Sequence, residues 1–561
     1  MRILLLVHAF NSLSQRVFVE LTRRGDVLSV ELDISDRTTE EAVARFRPDL
    51  VIAPFLKRAI PESVWRAVPC WILHPGPPGD RGPSALDWAV QEGIESWGVT
   101  VLQAEAVLDA GPVWGWAPCS LARPASKGSL YRHEVTEAAL TALHQALDRF
   151  AAGGRPTPQA EMALLGTLHP PMTQAQRRID WNGSTREALA RLRAADGFPG
   201  VADELLGLPC RLFDPWEEAT LRGPPGAVIA RREGAICRAT GDGAVWVGHL
   251  RLEQGEPAFK LPATVVLGEE RLAGVPEVPL SWRVEPGEGA TWRDLAYREE
   301  NGIGWLEFPF ANGAMDADQC ERLRQAVAGA AQRSIRALVL LGGVDFFSNG
   351  LHLNRIEAAA SPAEESWRNI RAMNRLVRQI LDSDHLLTVA AVRGNAGAGG
   401  CFLALAADRV VCRGGVTMNP HYRNMGNLYG SEYWTALLPR RCGTERAEGI
   451  LRGRLPLGAA EAAALGLADR VLSNGLGEFQ RELEAFVQAL VGAGWEQALA
   501  EKRQRRLELT DEQLDACEAA ELGRMRINFY GFDPSYHVAR YEFVHKVRPS
   551  RTPLHLAIHR R

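Results

Sequence analysis

His74 and Asp109 are the first two side chains of this chain that could act together as an acid–base couple. An imidazole titrates near neutrality, and a carboxylate can orient it or raise its basicity. Both lie in the stretch Trp71 to Val113, WILHPGPPGDRGPSALDWAVQEGIESWGVTVLQAEAVLDAGPV. A short apolar run ends at His74-Pro75, turn residues follow, and a helix starts over Ser84 to Val90. A second apolar run, Val99 to Leu108, ends at Asp109-Ala110-Gly111. In an α/β layout the residues just past strand ends line the ligand crevice, so the two could share one site. The plain alternative is two unrelated loop residues. Further on stand two glycine-bearing turns, Gly342 to His352 and Gly394 to Gly400. The second opens a predicted helix over Cys401–Ala407 and so exposes backbone N–H groups. It lacks the Lys-Ser/Thr of a nucleotide-binding P-loop.

Three segments carry these residues. Over 1–165, strands at Ile3–Val7, Val27–Leu32 and Leu50–Ala53 alternate with helices, one of them over Thr38–Arg45, which predicts a parallel sheet. No G-x-G-x-x-G follows the first strand, so a nicotinamide dinucleotide is not indicated. Asn11 and Ser12 can cap the first helix. Tyr131-Arg132-His133 opens a helix to about Phe150, and Arg132 at its start could meet a phosphate. Over 166–280, glycines split short strands at Ala227–Arg231, Ala235–Ala239, Ala244–Leu250 and Thr264–Val266, predicting a small β-barrel. Over 285–561 the pattern returns to α/β. Strands Gly304–Phe308, Ala337–Leu341 and Leu387–Val392 alternate with helices from Asp316 to Ala331 and from Ala363 to Asp382.

Length and composition exclude several classes. A chain of 561 residues holds three or more domains of ~100–200 residues. Its 46% hydrophobic and 24% charged content is that of a soluble globular protein. A net charge of −4, without a Lys/Arg cluster, argues against a nucleic-acid partner. The run Lys502 to Arg506 reads as a solvated helix face. Nine cysteines without a C-x-x-C pair argue against a disulfide framework or structural zinc and suit the cytoplasm. The N-terminus reads as a first strand rather than a signal peptide, and no apolar run approaches the ~18 residues that span a membrane.

The first stretch resembles the 10-formyltetrahydrofolate-dependent formyltransferases. The matching residues are His74-Pro75, Arg81-Gly82-Pro83, Trp88-Ala89, Gly98-Val99-Thr100 and Asp109-Ala110-Gly111. The resemblance implies that His74 and Asp109 are catalytic. It places the folate against the strand Leu50–Ala53 and the loop Pro54–Ile60, with Pro54, Phe55 and Ile72 at the site. Asn11 and Ser12 would face the same crevice, and Arg16 and Arg132 are further cofactor-binding candidates. The family's Asn, two residues before the His, is Ile72 here, which counts against ordinary formyl transfer to an amine. Ile179-Asp180-Trp181 followed by Ser184 resembles the start of the family's C-terminal domain, which implies an OB-like barrel.

The two glycine turns together resemble the crotonase (enoyl-CoA hydratase/isomerase) family. That likeness implies a coenzyme A thioester whose oxygen takes the backbone N–H groups of Leu351 and Gly399. Such donors are worth roughly 3 kcal/mol each. Gly350 and His352 would border the coenzyme A site, and Arg548 in the C-terminal stretch would meet a phosphate. The two glutamates of the hydratases fall on Phe402 and Tyr422, so hydration is not expected. Tyr422 and Glu432, in the turn Gly430-Ser431-Glu432-Tyr433, are then the proton-handling pair.

The expected architecture is a multidomain α/β protein: a formyltransferase-like parallel-sheet domain, a small OB-like barrel and a crotonase-like domain. This combination resembles the hydrogenase maturation factor family HypX/HoxX. The family likeness implies that 10-formyltetrahydrofolate gives its formyl group to coenzyme A at one site. Formyl-CoA then loses carbon monoxide at the other, for the Fe(CN)2CO centre of nickel–iron hydrogenase. Hydrogenase maturation proteins would be partners; no metal is expected in the chain. Two other readings stand beside it: a formyltransferase acting on an amine, and a maturation scaffold without catalysis.

Overall fold

The computed structural model describes all 561 residues, which divide into two compact units. The first comprises Met1–Val278, Gly289–Trp292 and Arg548–Arg561, the second Pro279–Glu288 and Arg293–Val547.

In the first unit a six-stranded sheet runs in the order Val27–Leu32, Arg2–Val7, Leu50–Phe55, Cys70–His74, Ser96–Gln103, Val113–Ser120. The first four strands are parallel, and their continuous burial matches the apolar runs of the sequence. The last two are antiparallel. The second apolar run therefore stops being a strand at Gln103. Asp109 lies six residues on, in the loop to the next strand. The edge strand Val27–Leu32 is covered by the C-terminal stretch, which the sequence reading had placed with the crotonase-like segment. Val30 N–H donates to the Leu556 carbonyl at 3.0 Å, and Leu32 N–H to Thr552 Oγ1 at 2.8 Å. Buried Glu31 takes Thr552 Oγ1 at 2.7 Å and His559 Nε2 at 3.1 Å. Covering an edge removes a row of unpaired backbone groups.

A second sheet in this unit orders as Val201–Leu205, Leu208–Glu218, Ala244–Leu252, Ala235–Ala239, Val228–Arg232, with Leu261–Pro262 beside Ala244–Leu252. Two of these strands, Val201–Leu205 and Leu208–Glu218, went unread in the sequence. Thr264–Val266, expected as a strand, lies in the helix Ala263–Leu272. Its β-branched residues favour a strand. Burial of Ala263 and Leu267, one helical turn apart, prevails, and the helix kinks at Gly268 before Leu272.

The second unit is built on a sheet ordered Ala296–Glu300, Ile303–Phe308, Ala337–Gly342, Leu387–Val392, Arg409–Arg413, Arg470–Leu472. A smaller sheet joins Phe346–Ser348, Asn395–Gly397, Thr417–Asn419 and Leu457–Gly458. Helices Ala317–Ala331 and Pro362–Leu381 pack on the main sheet through a shared apolar core. Asp316 caps the first, taking the N–H groups of Asp318 and Gln319. Lys502 is not solvated as its charge run suggested. It is buried, 2.7 Å from Asp408 Oδ2, with Ser383 and Leu386 carbonyls as further acceptors.

Candidate active sites

In the first unit the parallel strand Cys70–His74 delivers a buried His74 at its C-terminal end. Asp109 Oδ1 lies 3.6 Å from His74 Nδ1. Asp109 adopts a left-handed backbone, φ 57°, and its other oxygen accepts from Gly82 N–H at 3.2 Å. The tighter partner is Asp80, a residue outside the pattern that pairs His74 with Asp109. Asp80 Oδ1 sits 2.8 Å from His74 Nε2, and the Asp80 side chain is fully buried. Gly76 makes room for this pair, because a Cβ there would overlap both side chains. A neutral imidazole has one N–H and one lone pair. With the N–H held by Asp80, Nδ1 carries the lone pair and can take a proton beside Asp109. Spacing alone could not single out Asp80, since it lies among the Gly and Pro residues of a turn.

The other candidates of this unit fall around the ends of the first and third strands. Asn11 is committed as a helix cap: its Oδ1 takes Ser14 N–H and Ser14 Oγ, each at 3.0 Å. Ser12 is the first residue of that helix. Arg16 is buried and turned toward Glu137, 3.4 Å away. Pro54 and Phe55 belong to the strand Leu50–Phe55 rather than to the loop after it. The Phe55 ring meets His8 and Tyr131 edge-on, at 5.9 and 6.5 Å between centroids. Ile72 is half-buried against the apolar core. Arg132 does not open a helix. The helix begins at Lys127, capped by Ser126, and widens into a π-turn over Tyr131–Val135. Such turns commonly mark functional sites. Arg548 also moves. It belongs to this unit rather than to the crotonase-like one, where it was expected to meet a phosphate. Burial chiefly, then the charges of Lys57 and Arg548, hold His8 below the usual imidazole range.

In the second unit, turns and one loop converge. Gly350, φ 77°, sits against Gly399: a Cβ on Gly350 would stand 3.3 Å from Gly399 N. Leu351 follows in the short strand Gly350–Leu351, and His352 caps the next helix by accepting from Arg355 N–H at 3.3 Å. Gly399 in turn abuts the Glu432 carboxyl so closely that any side chain at 399 would overlap it. Tyr422 Oη bonds Glu432 Oε2 and donates to the Ser431 carbonyl at 2.9 Å. The Phe402 ring stacks on Tyr422, 5.3 Å between centroids at 18°. Glu432 is 1% exposed and Phe402 fully buried. Burial, with the charge of Glu521 adding to it, raises the Glu432 carboxyl to about 7 despite its bond to Tyr422. Burial and the same carboxyl push the Tyr422 phenol well up. The arrangement can hold a proton on Glu432 near neutrality, next to backbone amides and away from water.

A formyltransferase and an enoyl-CoA hydratase/isomerase fold are thus joined in one chain. Residues 171–259 match the family model "Formyl transferase, C-terminal domain", and residues 299–525 match that of "Enoyl-CoA hydratase/isomerase". The hydrogenase maturation factor HoxX of Bradyrhizobium diazoefficiens is 50% identical over 563 residues, covering 100% of this chain and 97% of the relative. The structure of HypX from Aquifex aeolicus in complex with tetrahydrofolic acid superposes with a TM-score of 0.96. Identity there is 46%, over 100% of this chain and 99% of that one. Methionyl-tRNA formyltransferase of Xylella fastidiosa is 28% identical over 221 residues, 38% of this chain and 71% of its own. The chain belongs to the hydrogenase maturation factors of the HypX/HoxX family.

Proposed function

We propose that this chain makes carbon monoxide for hydrogenase maturation in two steps. At the first site the coenzyme A thiol gives its proton to His74 Nδ1 while Asp80 holds Nε2–H. The thiolate attacks the formyl carbon of 10-formyltetrahydrofolate, the bond from carbon to N10 breaks, and N10 receives a proton. A thiolate needs less polarisation of the formyl oxygen than an amine does, which accords with Ile72 in place of the family's Asn. The tetrahydrofolate held by the Aquifex aeolicus relative supports folate as the donor. The positive charges of Lys57 and Arg548 near His8 suit an anionic substrate.

At the second site formyl-CoA splits into carbon monoxide and the free thiol. Glu432 starts with a proton and gives it to sulfur, through Tyr422, as the C–S bond breaks with its electrons on sulfur; the carboxylate left behind takes the formyl C–H proton, whose bonding pair stays on carbon as carbon monoxide leaves. The N–H groups of Leu351 and Gly399 hold the thioester oxygen, and Asp109 and Asp80 serve only the first site. Water has no place in this balance, and it would divert formyl-CoA to formate. The observation that carries the reading is Glu432 set against Gly399 and bonded to Tyr422, whose ring stacks on Phe402. No helix is long and apolar enough to cross a membrane. The nine unpaired cysteines accord with work in the cytoplasm.

The test is to incubate the protein with 10-formyltetrahydrofolate labelled in the formyl carbon, with and without coenzyme A, and to assay the headspace. Labelled CO that requires coenzyme A and vanishes with His74→Ala is expected. Labelled formate without CO, or transfer to an added amine, would overturn the second step. No turnover of the folate would leave a scaffold role.

A further inference from the structure

The loop that carries Glu432 has an unusual backbone. Glu432 and Tyr433 are consecutive non-glycine residues with left-handed φ, 62° and 58°, and Gly430 before them stands at 89°. Such a conformation persists only where neighbours hold it. The holder here is one face of the helix Asp511–Tyr530. Residues 518, 521, 525 and 528 recur at helical spacing and so line a single side. Asn528 Oδ1 accepts from Tyr429 N–H at 3.0 Å, and Met525 Sδ from Gly430 N–H at 3.1 Å. Glu518 accepts from Tyr433 Oη at 2.9 Å and from Asn374 Nδ2 at 3.2 Å. Asn374 Oδ1 takes Glu432 N–H at 2.9 Å.

Glu521 does most of the gripping. It is fully buried, and four donors, two from the loop and two from Thr435 in the first turn of the helix Trp434–Cys442, converge on its carboxylate. Oε2 takes Ser431 Oγ at 3.2 Å and Tyr433 N–H at 2.9 Å. Oε1 takes Thr435 N–H at 2.8 Å and Thr435 Oγ1 at 2.6 Å. These bonds span the two left-handed residues from both ends. They also fix Ser431, whose carbonyl receives the Tyr422 hydroxyl.

We propose that Glu521 is a positioning residue for the Tyr422–Glu432 pair: by taking the amide and hydroxyl hydrogens of Ser431, Tyr433 and Thr435, it sets the Glu432 carboxyl against Gly399. The inference rests on reading this site as the one that releases carbon monoxide. It adds a second effect of the same carboxylate. The ionisable groups facing Glu432 are Tyr422 on the preceding loop, Glu521 on the helix Asp511–Tyr530 and Cys320 on the helix Ala317–Ala331. Glu518 and Arg378 act on Tyr433, one residue on. Burial raises Glu521 to about 7 as well; where it is ionised, its charge opposes a second negative charge on Glu432 and so keeps the proton there.

The experiment uses the full-length chain with formyl-CoA supplied directly. Glu521→Gln keeps the volume but turns an amide toward donors that need acceptors. The expected result is a kcat for CO release lower by roughly 10- to 100-fold, as for other small misplacements of a reacting group. KM for formyl-CoA should stay unchanged. The pH midpoint of kcat should move down, because an anion beside Glu432 is gone. Glu521→Asp should restore part of the rate. Circular dichroism and cooperative thermal unfolding compared with wild type report that the unit carrying Glu521 has folded. If Glu521→Gln does not fold, Thr435→Val removes one donor without altering a buried charge and should lower kcat by a smaller factor. A wild-type kcat and pH profile in the folded variants would overturn the proposal. If the wild-type chain releases no CO from formyl-CoA, the functional reading fails by itself. The positioning role is then read from the infrared titration of the Glu432 carboxyl, assigned by its loss in Glu432→Gln. A midpoint shifted down by Glu521→Gln supports the role, and an unmoved one ends it.

Discussion

At His74 both ring nitrogens meet carboxylates, 2.8 Å to Asp80 and 3.6 Å to Asp109, and the Asp109 side chain is 21% exposed. Around Glu432 stand a tyrosine hydroxyl, an aromatic ring, glycine backbone and a second carboxyl, all buried. The first setting places one imidazole between two carboxyl groups. The second penalises charge, so the carboxyl holds its proton up to about pH 7. The two surroundings suit the two halves of the proposed chemistry. Ionising a thiol needs a base whose own charge is then stabilised. Splitting formyl-CoA needs a proton given to sulfur and another taken from carbon, with water kept out.

Replacing the group at the centre of each site is the strongest way to break this contrast. His74→Ala should lower formyl transfer from the folate by roughly 10²- to 10⁴-fold, the usual contribution of a positioned general base. CO release from supplied formyl-CoA should be untouched, as read by headspace assay. Loss of both activities together would sink the division of labour.

Glu432→Gln should do the reverse: CO release falls by roughly 10²- to 10³-fold while folate deformylation continues. The same substitution has a stability signature. The folded-state carboxyl is raised from 4.5 to about 7, so the protonated form is the one burial tolerates. Its contribution is complete below the unfolded value near 4.5 and is lost as pH rises through about 7. Glutamine carries no charge to bury. Glu432→Gln should therefore be more stable than wild type at pH 8, by at most about 3 kcal/mol, and unfold at a higher temperature. The gain should vanish near pH 4. Glu521, also raised to about 7 by burial, shares this window, so the double variant Glu432→Gln/Glu521→Gln tests whether the two titrate as a pair.

Asp80→Asn sharpens the comparison inside the first site. Its carboxylate is the nearer of the two on His74, so its loss should release the ring orientation and slow transfer on the order of 100-fold. Asp109→Asn leaves Nε2 held and changes only the charge beside Nδ1. Equal effects of the two variants in steady-state kinetics would mean that the tight bond at Nε2 does not set the ring.

How much of this was readable in the residues divides along physical lines. Buried parallel strands such as Arg2–Val7 and Leu387–Val392 announce themselves as unbroken apolar runs. His74 and Asp109 could be paired because strand ends share a crevice. Thr264–Val266 misled because local β preference points one way and burial of Ala263 and Leu267 the other. The long strand Leu208–Glu218 carries charged and Pro residues on its open side and leaves no clean alternation. The tail Arg548–Arg561 docks on Val27–Leu32 through single contacts that no periodicity encodes. Asp80 and Glu521 were invisible for a related reason. Each acts through a loop or helix brought close only by the fold, and neither sits in a pattern that marks chemistry.

Asn11 offers the smallest and most discriminating change. In the sequence it could be a helix cap or a ligand contact. Its oxygen already takes Ser14 N–H and Ser14 Oγ, and its side chain also bonds the buried Tyr131 phenol. A side chain so engaged has little capacity left for a substrate. Asn11→Ala should then cost about 1 kcal/mol of stability, the ordinary value of a lost cap. Thermal unfolding reads that loss, while KM for the folate should stay near wild type. A KM that rises several-fold with little change in unfolding temperature would reverse the assignment and put Asn11 among the residues that meet substrate. It would also imply that the cap opens when the crevice fills, which makes the first site the more adaptable of the two.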